Sequence, residues 1–248
     1  MRTQTINFQD HQTLCVFPTE RAKLAQAVSE LGLKDPYPVM VLIGSGIDEQ
    51  QAAVTQRAVQ AISKVAEDIG AVGICGGTDT GIMAEIGRIR SRNGYKFPLV
   101  GIAPEELVTW PGGPHSGKFL GWGEKRSQLE PHYSHFILVP GSQFGDESPW
   151  IVDAATLLSK DHTSVTILIG GGEVSRKDIE LSLEMGRPVI ALSRTGHLAD
   201  ELARQPNRHK LITVIPVHAE QRITEVVQAA LSMNERSEEA VTFRSLII

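Results

Sequence analysis

The sequence is poor in cysteine and has no long apolar run. Its 248 residues include two cysteines, Cys15 and Cys75, which are too few for a cysteine-rich metal knuckle. Both lie in apolar segments, where reduced and buried thiols are common. No apolar run approaches the roughly 18 residues of a membrane-spanning helix, and no basic segment precedes an apolar N-terminal core. We therefore expect a cytoplasmic protein without a membrane span or a signal peptide.

An excess of basic charge is also missing. Lysine and arginine together number 24 against 29 acidic residues, so the net charge at pH 7 is −5. This balance argues against nonspecific binding to nucleic acid or to an anionic membrane. A local exception is the basic stretch 88–96, which is typical of a solvated helix end.

The chain lacks a linker, a low-complexity tract and an internal repeat that would divide it. Its length and its 41% of hydrophobic residues suffice for one large core or two small ones. Composition changes only at the end, where the sequence begins charged and finishes apolar. We predict a single domain over residues 1–232 and a C-terminal tail over residues 233–248.

Six strand-like apolar runs in the middle of the chain end in polar turns, most of which contain glycine: 39–46, 72–81, 99–107, 135–147, 165–173 and 188–196. Continuous Val/Ile/Leu strands that alternate with amphipathic helices indicate a mainly parallel sheet covered on both faces. Right-handed crossovers then predict an α/β fold, a Rossmann-like, doubly wound sheet in a three-layer sandwich. The start of the chain predicts two short edge strands around residues 9–11. Because parallel strands end at one sheet edge, we expect the turns to converge on one crevice that suits a phosphorylated small molecule.

The turn GGTDTGIM, residues 76–83, is the most informative of these. Its glycines let the backbone approach a phosphate, and the amides that follow Thr80 open a helix with partial positive charge. It matches neither the dinucleotide fingerprint nor a Walker A loop. Asp79 either caps the helix or accepts a hydrogen bond from a ribose. A tight strand-to-helix turn with no ligand is an equally good interpretation.

The turn GGGEVSRKD, residues 170–178, follows the same logic at the fifth strand. Three successive glycines exceed what a turn requires, so we expect a ligand to approach the backbone closely here. Glu173 is the polar group best placed to reach a ribose. Ser175 and Asp178 have the spacing of a capping box, which predicts a helix from about residue 176.

The loop 140–150 places Asp146 and Glu147 side by side before a helix start at Ser148-Pro149. Hard cations need more oxygen ligands than this sequence marks, so we predict no metal site and interpret the loop as a solvated acidic one. Arg194 is a candidate phosphate or ribose contact at the end of its strand. Further candidates on the rim of the crevice are Gly44, Ser45, Gly46, Gly141, Ser142 and Gln143.

The stretch 104–132 is too long for a simple connection. Its tryptophans and cations, among them Trp110 and Arg126, suit a lid that stacks on a ligand. An oligomer contact or a packed surface flap explains them equally well. The chain has neither an HExxH arrangement nor a GxSxG elbow, so we predict no zinc site and no hydrolytic triad.

Five segments in order carry a resemblance to a known family: GGTDTGIMAEIGR (76–88), VGIAPEELV (100–108), LEPHYSHFILVPG (129–141), GGGEVS (170–175) and PVIALSRTGHLAD (188–200). The chain resembles the SLOG superfamily of Rossmann-like domains. More narrowly, it resembles the prokaryotic branch of the LSDAT family, related to the N-terminal region of melastatin-type TRP channels. The resemblance implies binding and sensing of nucleotides or of NAD-derived ligands such as ADP-ribose. It places these residues on ligand-facing loops: Gly76, Gly77, Thr78, Gly81, Gly171, Gly172 and Ser175.

A more distant resemblance is to LOG-type phosphoribohydrolases, whose P-G-G-x-G-T-x-x-E loop falls on residues 169–178. This chain departs from that pattern at Ile169, Gly170 and Val174, and Asp178 replaces the glutamate. The enzymes' arginine has no counterpart that we can place. Cleavage of an N-glycosidic bond needs an acidic or electrostatic partner for an oxocarbenium-like centre. The departures therefore argue against hydrolase activity.

The leading hypothesis is a soluble domain that binds a nucleotide or an ADP-ribose-like ligand, with no cofactor. The predicted ligand contacts come from five of the six turns: Gly44, Ser45, Gly46, Gly76, Gly77, Thr78, Thr80, Gly81, Gly141, Ser142, Gln143, Gly171, Gly172, Glu173, Ser175 and Arg194. The alternative is an enzyme that cleaves nucleoside monophosphates or related N-glycosides. Its candidate catalytic residues are Glu173, Glu147 and Asp178, with Arg194 or Arg126 on the phosphate. A third hypothesis is an assembly scaffold, since edge strands and the apolar tail favour a homo-oligomer.

Overall fold

The computed structural model describes residues 1–34, 36–44, 51–114, 126–160, 162–205 and 209–232. Within these ranges the strands are β1 (Arg2–Asn7), β2 (Gln12–Phe17), β3 (Val39–Gly44), β4 (Val72–Cys75), β5 (Leu99–Pro104), β6 (Val108–Thr109), β7 (Ser127–Gln128), β8 (His135–Val139), β9 (Ser164–Ile169), β10 (Val189–Ser193) and β11 (Ile212–Pro216). The α-helices are α1 (Leu24–Glu30), α2 (Ala52–Ile69), α3 (Gly81–Arg92), α4 (Ser148–Ser159), α5 (Glu173–Glu184), α6 (His197–Arg204) and α7 (Glu220–Ser232).

Nine of the strands form one sheet in the order β1-β2-β8-β5-β4-β3-β9-β10-β11. The β1–β2 hairpin is antiparallel, and β2 joins the rest of the sheet by pairing in parallel with β8. In the order of the sheet, the seven strands β8, β5, β4, β3, β9, β10 and β11 are all parallel to their neighbours. The predicted parallel sheet and edge hairpin are therefore confirmed.

Helices cover both faces of the sheet, as the continuous apolar strands predict. Val39 to Ile43 in β3 are all buried, and alternate side chains enter two different cores. Met40 and Leu42 pack on one face in the core formed with α2, α3 and α7. Val39, Val41 and Ile43 pack on the other face with α1, α4, α5 and α6. This is the predicted Rossmann-like three-layer sandwich.

The order of strands reverses at β3. The chain passes from β3 to β4, β5 and β8 on one side, and then returns through α4 to β9 on the other side of β3. Ligands of open α/β sheets bind in the crevice that such a reversal leaves at the carboxyl ends of the strands. No helix within the described residues has both the length and the hydropathy needed to cross a bilayer.

The start of α5 corrects one prediction. Its N-cap residue is Gly172, in an extended conformation (φ −118°, ψ −152°), and no side chain caps the helix. Ser175 therefore lies in the first turn and Asp178 in the second, and both side chains are buried. The predicted capping box was wrong, because the helix begins at Glu173 rather than at residue 176.

Candidate functional site

A cavity of about 290 Å³ lies at the carboxyl edge of the sheet, beside the reversal at β3. The loops after β3 and β4 contribute Gly44, Gly76, Thr78 and Thr80 to its wall. The loop after β8 and the start of α4 contribute Phe144, Glu147 and Ile151. The start of α5, after β9, contributes Val174, Ser175 and Asp178. Four of the predicted turns thus meet at one cavity between helices of opposite faces.

The start of α3 presents backbone donors beside this cavity. Thr80 precedes the helix in an extended conformation, and its hydroxyl lies 2.9 Å from that of Thr78. Among the described residues, the amides 81–83 have no hydrogen-bond acceptor, as expected for a first turn. Asp79 does not cap them, because its carboxylate binds Arg88 with an O···N distance of 2.6 Å. These amides are therefore available to an anion.

The turn after β10 does not line the cavity. Asp200 accepts hydrogen bonds from the amides of Arg194 and Gly196, which closes this turn on itself. The first amides of α6, at Leu198 and Ala199, donate to carbonyl oxygens of the β9 turn at 3.1 and 2.9 Å. The donors of α6 thus support the glycine turn 170–172 and are not available to a ligand. The side chain of Arg194 is exposed and is not part of the cavity wall.

Several glycines of these turns are required by backbone packing. A Cβ on Gly77, which has φ +70°, would lie 2.7 Å from the Cα of Gly101 in β5. A Cβ on Gly44 would lie 2.0 Å from the carbonyl oxygen of Ile169 in the neighbouring strand. Gly172 differs, because a Cβ there would meet nothing within 4 Å and its φ is negative. Backbone packing therefore does not explain why residue 172 is a glycine.

Two buried carboxyl groups share the cavity. Glu147 is 6% exposed, and its Oε2 accepts a hydrogen bond of 2.6 Å from the amide of Gly145. Burial raises its pKa to about 7. Hydrogen bonds from backbone amides lower this pKa, and the negative charges of Asp178 and Asp146 raise it further. Burial also raises the pKa of Asp178 to about 6, partly offset by the Ser148 hydroxyl and by Lys177.

Two polar atoms near these carboxyl groups lack partners. Asp178 is 6% exposed and Ser148 is fully buried. The Ser148 hydroxyl is near enough to Asp178 to lower its pKa, but neither this hydroxyl nor Oδ1 of Asp178 is in hydrogen-bonding geometry with a partner among the described residues. Buried polar atoms are normally paired, so unpaired ones beside a cavity point to a partner that occupies it.

Other predicted contacts lie away from the cavity. The side chain of Glu173 is 91% exposed and approaches Arg176 at 3.7 Å. The amides of Ser142 and Gln143, next to Gly141, donate to Asp146 at 2.9 and 3.2 Å and so are already paired. Arg126 donates to the carbonyl oxygen of Glu106 at 3.0 Å. Ser45 and Gly46 lie outside the described residues.

Comparison with protein families decides the relationship of the chain. A family model described as "SLOG in TRPM, prokaryote" matches residues 37–239, which is most of the chain. The chain belongs to this SLOG family. The predicted resemblance is confirmed. A comparison with curated proteins finds no match.

A solved structure shares the fold of this SLOG domain. The X-ray structure of TM1055, a structural genomics target, is similar with a TM-score of 0.50 and 19% sequence identity. The similarity covers 75% of this chain and 98% of TM1055. At this level of identity the likeness concerns the fold alone, and it agrees with the Rossmann-like architecture described above.

The cavity also has apolar side chains that the sequence patterns did not predict. Phe144 and Val174 line it and are 36% and 37% exposed, which is unusual for large hydrophobic residues. Each interrupts an otherwise polar turn, and that isolation was the signal that could have identified them. The cavity therefore combines backbone donors on the α3 side with apolar and carboxyl groups on the α4 and α5 side.

Proposed function

We propose that this SLOG domain binds a small nucleotide or NAD-derived ligand in the cavity at the carboxyl edge of the sheet. The observation that carries the proposal is the set of unpaired first-turn amides of α3, residues 81–83, at a cavity beside the strand reversal. Helix N-termini attract phosphate through their exposed N–H groups and the helix dipole. The hydroxyls of Thr78 and Thr80 share one hydrogen bond on the same side, which leaves one O–H of the pair as a further donor.

The dimensions of the cavity favour a single nucleotide unit. Its volume of about 290 Å³ is just below the range of roughly 300–1,000 Å³ for small-molecule sites. A mononucleotide, or one half of ADP-ribose, suits this volume better than a complete dinucleotide. The carboxyl groups of Glu147 and Asp178 repel a phosphate, so we place the phosphate on the α3 side.

A thermal-shift titration tests this proposal. AMP, ADP-ribose and NAD are each added to the purified protein, with adenosine as the control that lacks a phosphate. A ligand at 100 times its dissociation constant stabilises the folded state by about 2.7 kcal/mol. We expect AMP to raise the melting temperature more than adenosine does. The absence of any shift with all three phosphorylated ligands would refute the proposal.

A second candidate function is hydrolysis of an N-glycosidic bond, which the carboxyl pair favours. A group with a pKa of about 7, such as Glu147, is suited to general acid catalysis near neutrality. In this reaction water adds to the anomeric carbon, the C–N bond breaks, and the acid protonates the departing base. In this second proposal Asp178 stabilises positive charge on the sugar. Incubation with AMP and chromatography for free adenine tests this function, and a flat time course rejects it.

A further inference from the structure

The α4 and α5 side of the cavity has an exposed apolar surface. Phe144 and Val174 line the cavity from two different loops, and Ile151 lies beside them on α4. The two loops are in close contact, because a Cβ on Gly145 would lie 3.5 Å from a methyl group of Val174. Lys177 also donates to the carbonyl oxygen of Gly145 at 2.6 Å. Phe144, the residue before Gly145, lines the cavity from this loop with 36% of its surface exposed.

Hydrogen-bonding groups lie in the same half of the cavity. Asp178 is buried in its wall, and Oδ1 is not in hydrogen-bonding geometry with any described residue, although the nearby Ser148 hydroxyl lowers the pKa of this carboxyl. Glu147 is also buried in this wall, and Oε2 is occupied by the amide of Gly145. One acceptor and one carboxyl group able to donate therefore line the same cavity as an aromatic ring. A flat molecule with both kinds of polar atom on one edge matches this arrangement.

We propose that this half of the cavity binds the base of the nucleotide and selects a base with an amino group beside an unprotonated ring nitrogen, as in adenine or cytosine. This inference rests on the proposed function, which places the phosphate at α3. The base stacks on Phe144 and packs against Val174. Its amino group donates to Asp178, and the protonated carboxyl of Glu147 donates to the ring nitrogen.

The charged groups around Glu147 predict how this selection depends on pH. Asp146 on its own loop and Asp178 on α5 both raise the pKa of Glu147, while Lys177 on α5 lowers the pKa of both aspartates. Since the pKa of Glu147 is about 7, a large fraction keeps its proton at neutral pH. Ionisation removes the donor to the ring nitrogen, so selection weakens as the pH rises above 7.

Calorimetric titration with AMP, IMP and ribose 5-phosphate at pH 6 and pH 8.5 tests the inference. IMP differs from AMP in the exchange of the amino group for a carbonyl, which makes the adjacent ring nitrogen a donor. We expect AMP to bind about tenfold more tightly than IMP at pH 6, a typical value for one bidentate contact to a base. Ribose 5-phosphate binds more weakly than either, and the preference for AMP shrinks at pH 8.5.

Variants separate the two contributions. Phe144→Ala weakens binding of AMP and IMP about tenfold and leaves ribose 5-phosphate unchanged, because only the base loses its stacking partner. Leu157→Ala is the matched control, since Leu157 is 39% exposed on α4 and is not part of the cavity wall. Glu147→Gln keeps the preference for AMP at pH 8.5, because an amide donates a hydrogen bond without titrating, and the pH dependence that remains is that of Asp178, whose pKa is about 6.

The outcomes distinguish this inference from the function on which it rests. Equal affinity for AMP and IMP at pH 6, or equal affinity for AMP and ribose 5-phosphate, overturns the inference and leaves nucleotide or sugar-phosphate binding in place. A lack of binding by all three compounds overturns the proposed function itself. These comparisons use the unmodified protein, so they do not depend on whether a variant folds.

Discussion

The carboxylate of Glu130 occupies the space beside Gly87, where a Cβ would come within 2.0 Å of Oε2. Glu130 is completely buried and lies against the backbone of α3. It accepts a hydrogen bond of 2.8 Å from the amide of His132, and its Oε1 shares a hydrogen bond of 2.6 Å with Nδ1 of the same residue. The amide of Glu130 donates to the carbonyl oxygen of Gly77, which connects this contact to the turn at the cavity.

We predict that Gly87→Ala destabilises the protein. Alanine is the better helix former by roughly 1 kcal/mol, but the added methyl overlaps a buried carboxyl group that must then leave its contacts with His132. Overpacking of this kind typically costs about 1–3 kcal/mol. Urea denaturation measures the change in the free energy of unfolding. A variant as stable as the wild type would mean that Glu130 relocates at little cost.

Gly172→Ala is predicted to leave stability unchanged and to weaken ligand binding. Its φ is negative and a Cβ meets nothing within 4 Å, so we expect a change in unfolding free energy within about 0.5 kcal/mol. The methyl stands next to the first-turn amides of α5. The α5 turn borders the half of the cavity assigned to the base, so a methyl that intrudes there lowers the affinity for AMP about tenfold and leaves that for ribose 5-phosphate unchanged. An unchanged affinity for AMP would show that the turn before α5 does not contact the ligand.

Stability is predicted to fall between pH 5 and pH 8 because of Glu147. Its pKa rises from an ordinary value of 4.5 to about 7 in the folded protein, so the folded state retains a proton that the unfolded state releases. The stabilisation is complete below pH 4.5 and is lost as the pH rises through 7. The difference between these pKa values corresponds to about 3 kcal/mol.

Glu147→Gln is the variant that tests this dependence. Removing the ionisable group reduces the decline in the free energy of unfolding between pH 5 and pH 8. At pH 8 the variant therefore has a higher free energy of unfolding than the wild type. Asp178, with a pKa raised to about 6, contributes a residual decline in the same direction. Urea denaturation at both pH values gives the result. A wild type whose stability increases with pH over this interval contradicts the assignment.

Both cysteines are predicted to be unreactive in the native protein. Cys15 and Cys75 are fully buried, and the Sγ of Cys75 lies 2.8 Å from the hydroxyl of Tyr133. Burial raises the pKa of Cys75 to about 12 and also raises that of Cys15, so almost no thiolate is present at pH 8. We expect Ellman's reagent to label neither thiol in buffer and both in denaturant. Rapid labelling of the native protein would show that these thiols are accessible.

The sequence predicted the elements better than the site. The strands β3 and β9 were predictable because burial on both faces of a sheet demands continuous Val, Ile and Leu. The helix after Thr80 was predictable from the helical spacing of its apolar residues. The start of α5 was predicted incorrectly, because the local spacing of Ser175 and Asp178 imitates a capping box while their side chains are directed into the interior. Local pattern does not reveal which face of a helix start is buried.

By itself, the sequence determined the alternation of strands and helices, the family and the presence of donor-rich turns, since each depends on neighbouring residues. Only the tertiary structure decided which turns meet. The order of strands places β9 beside β3, which brings Asp178 into the same cavity as Glu147 and Phe144. The same strand order places the first amides of α6 against the turn after β9, so that Arg194 and its neighbours do not line the cavity. Strand order arises from long-range packing, which short segments do not encode.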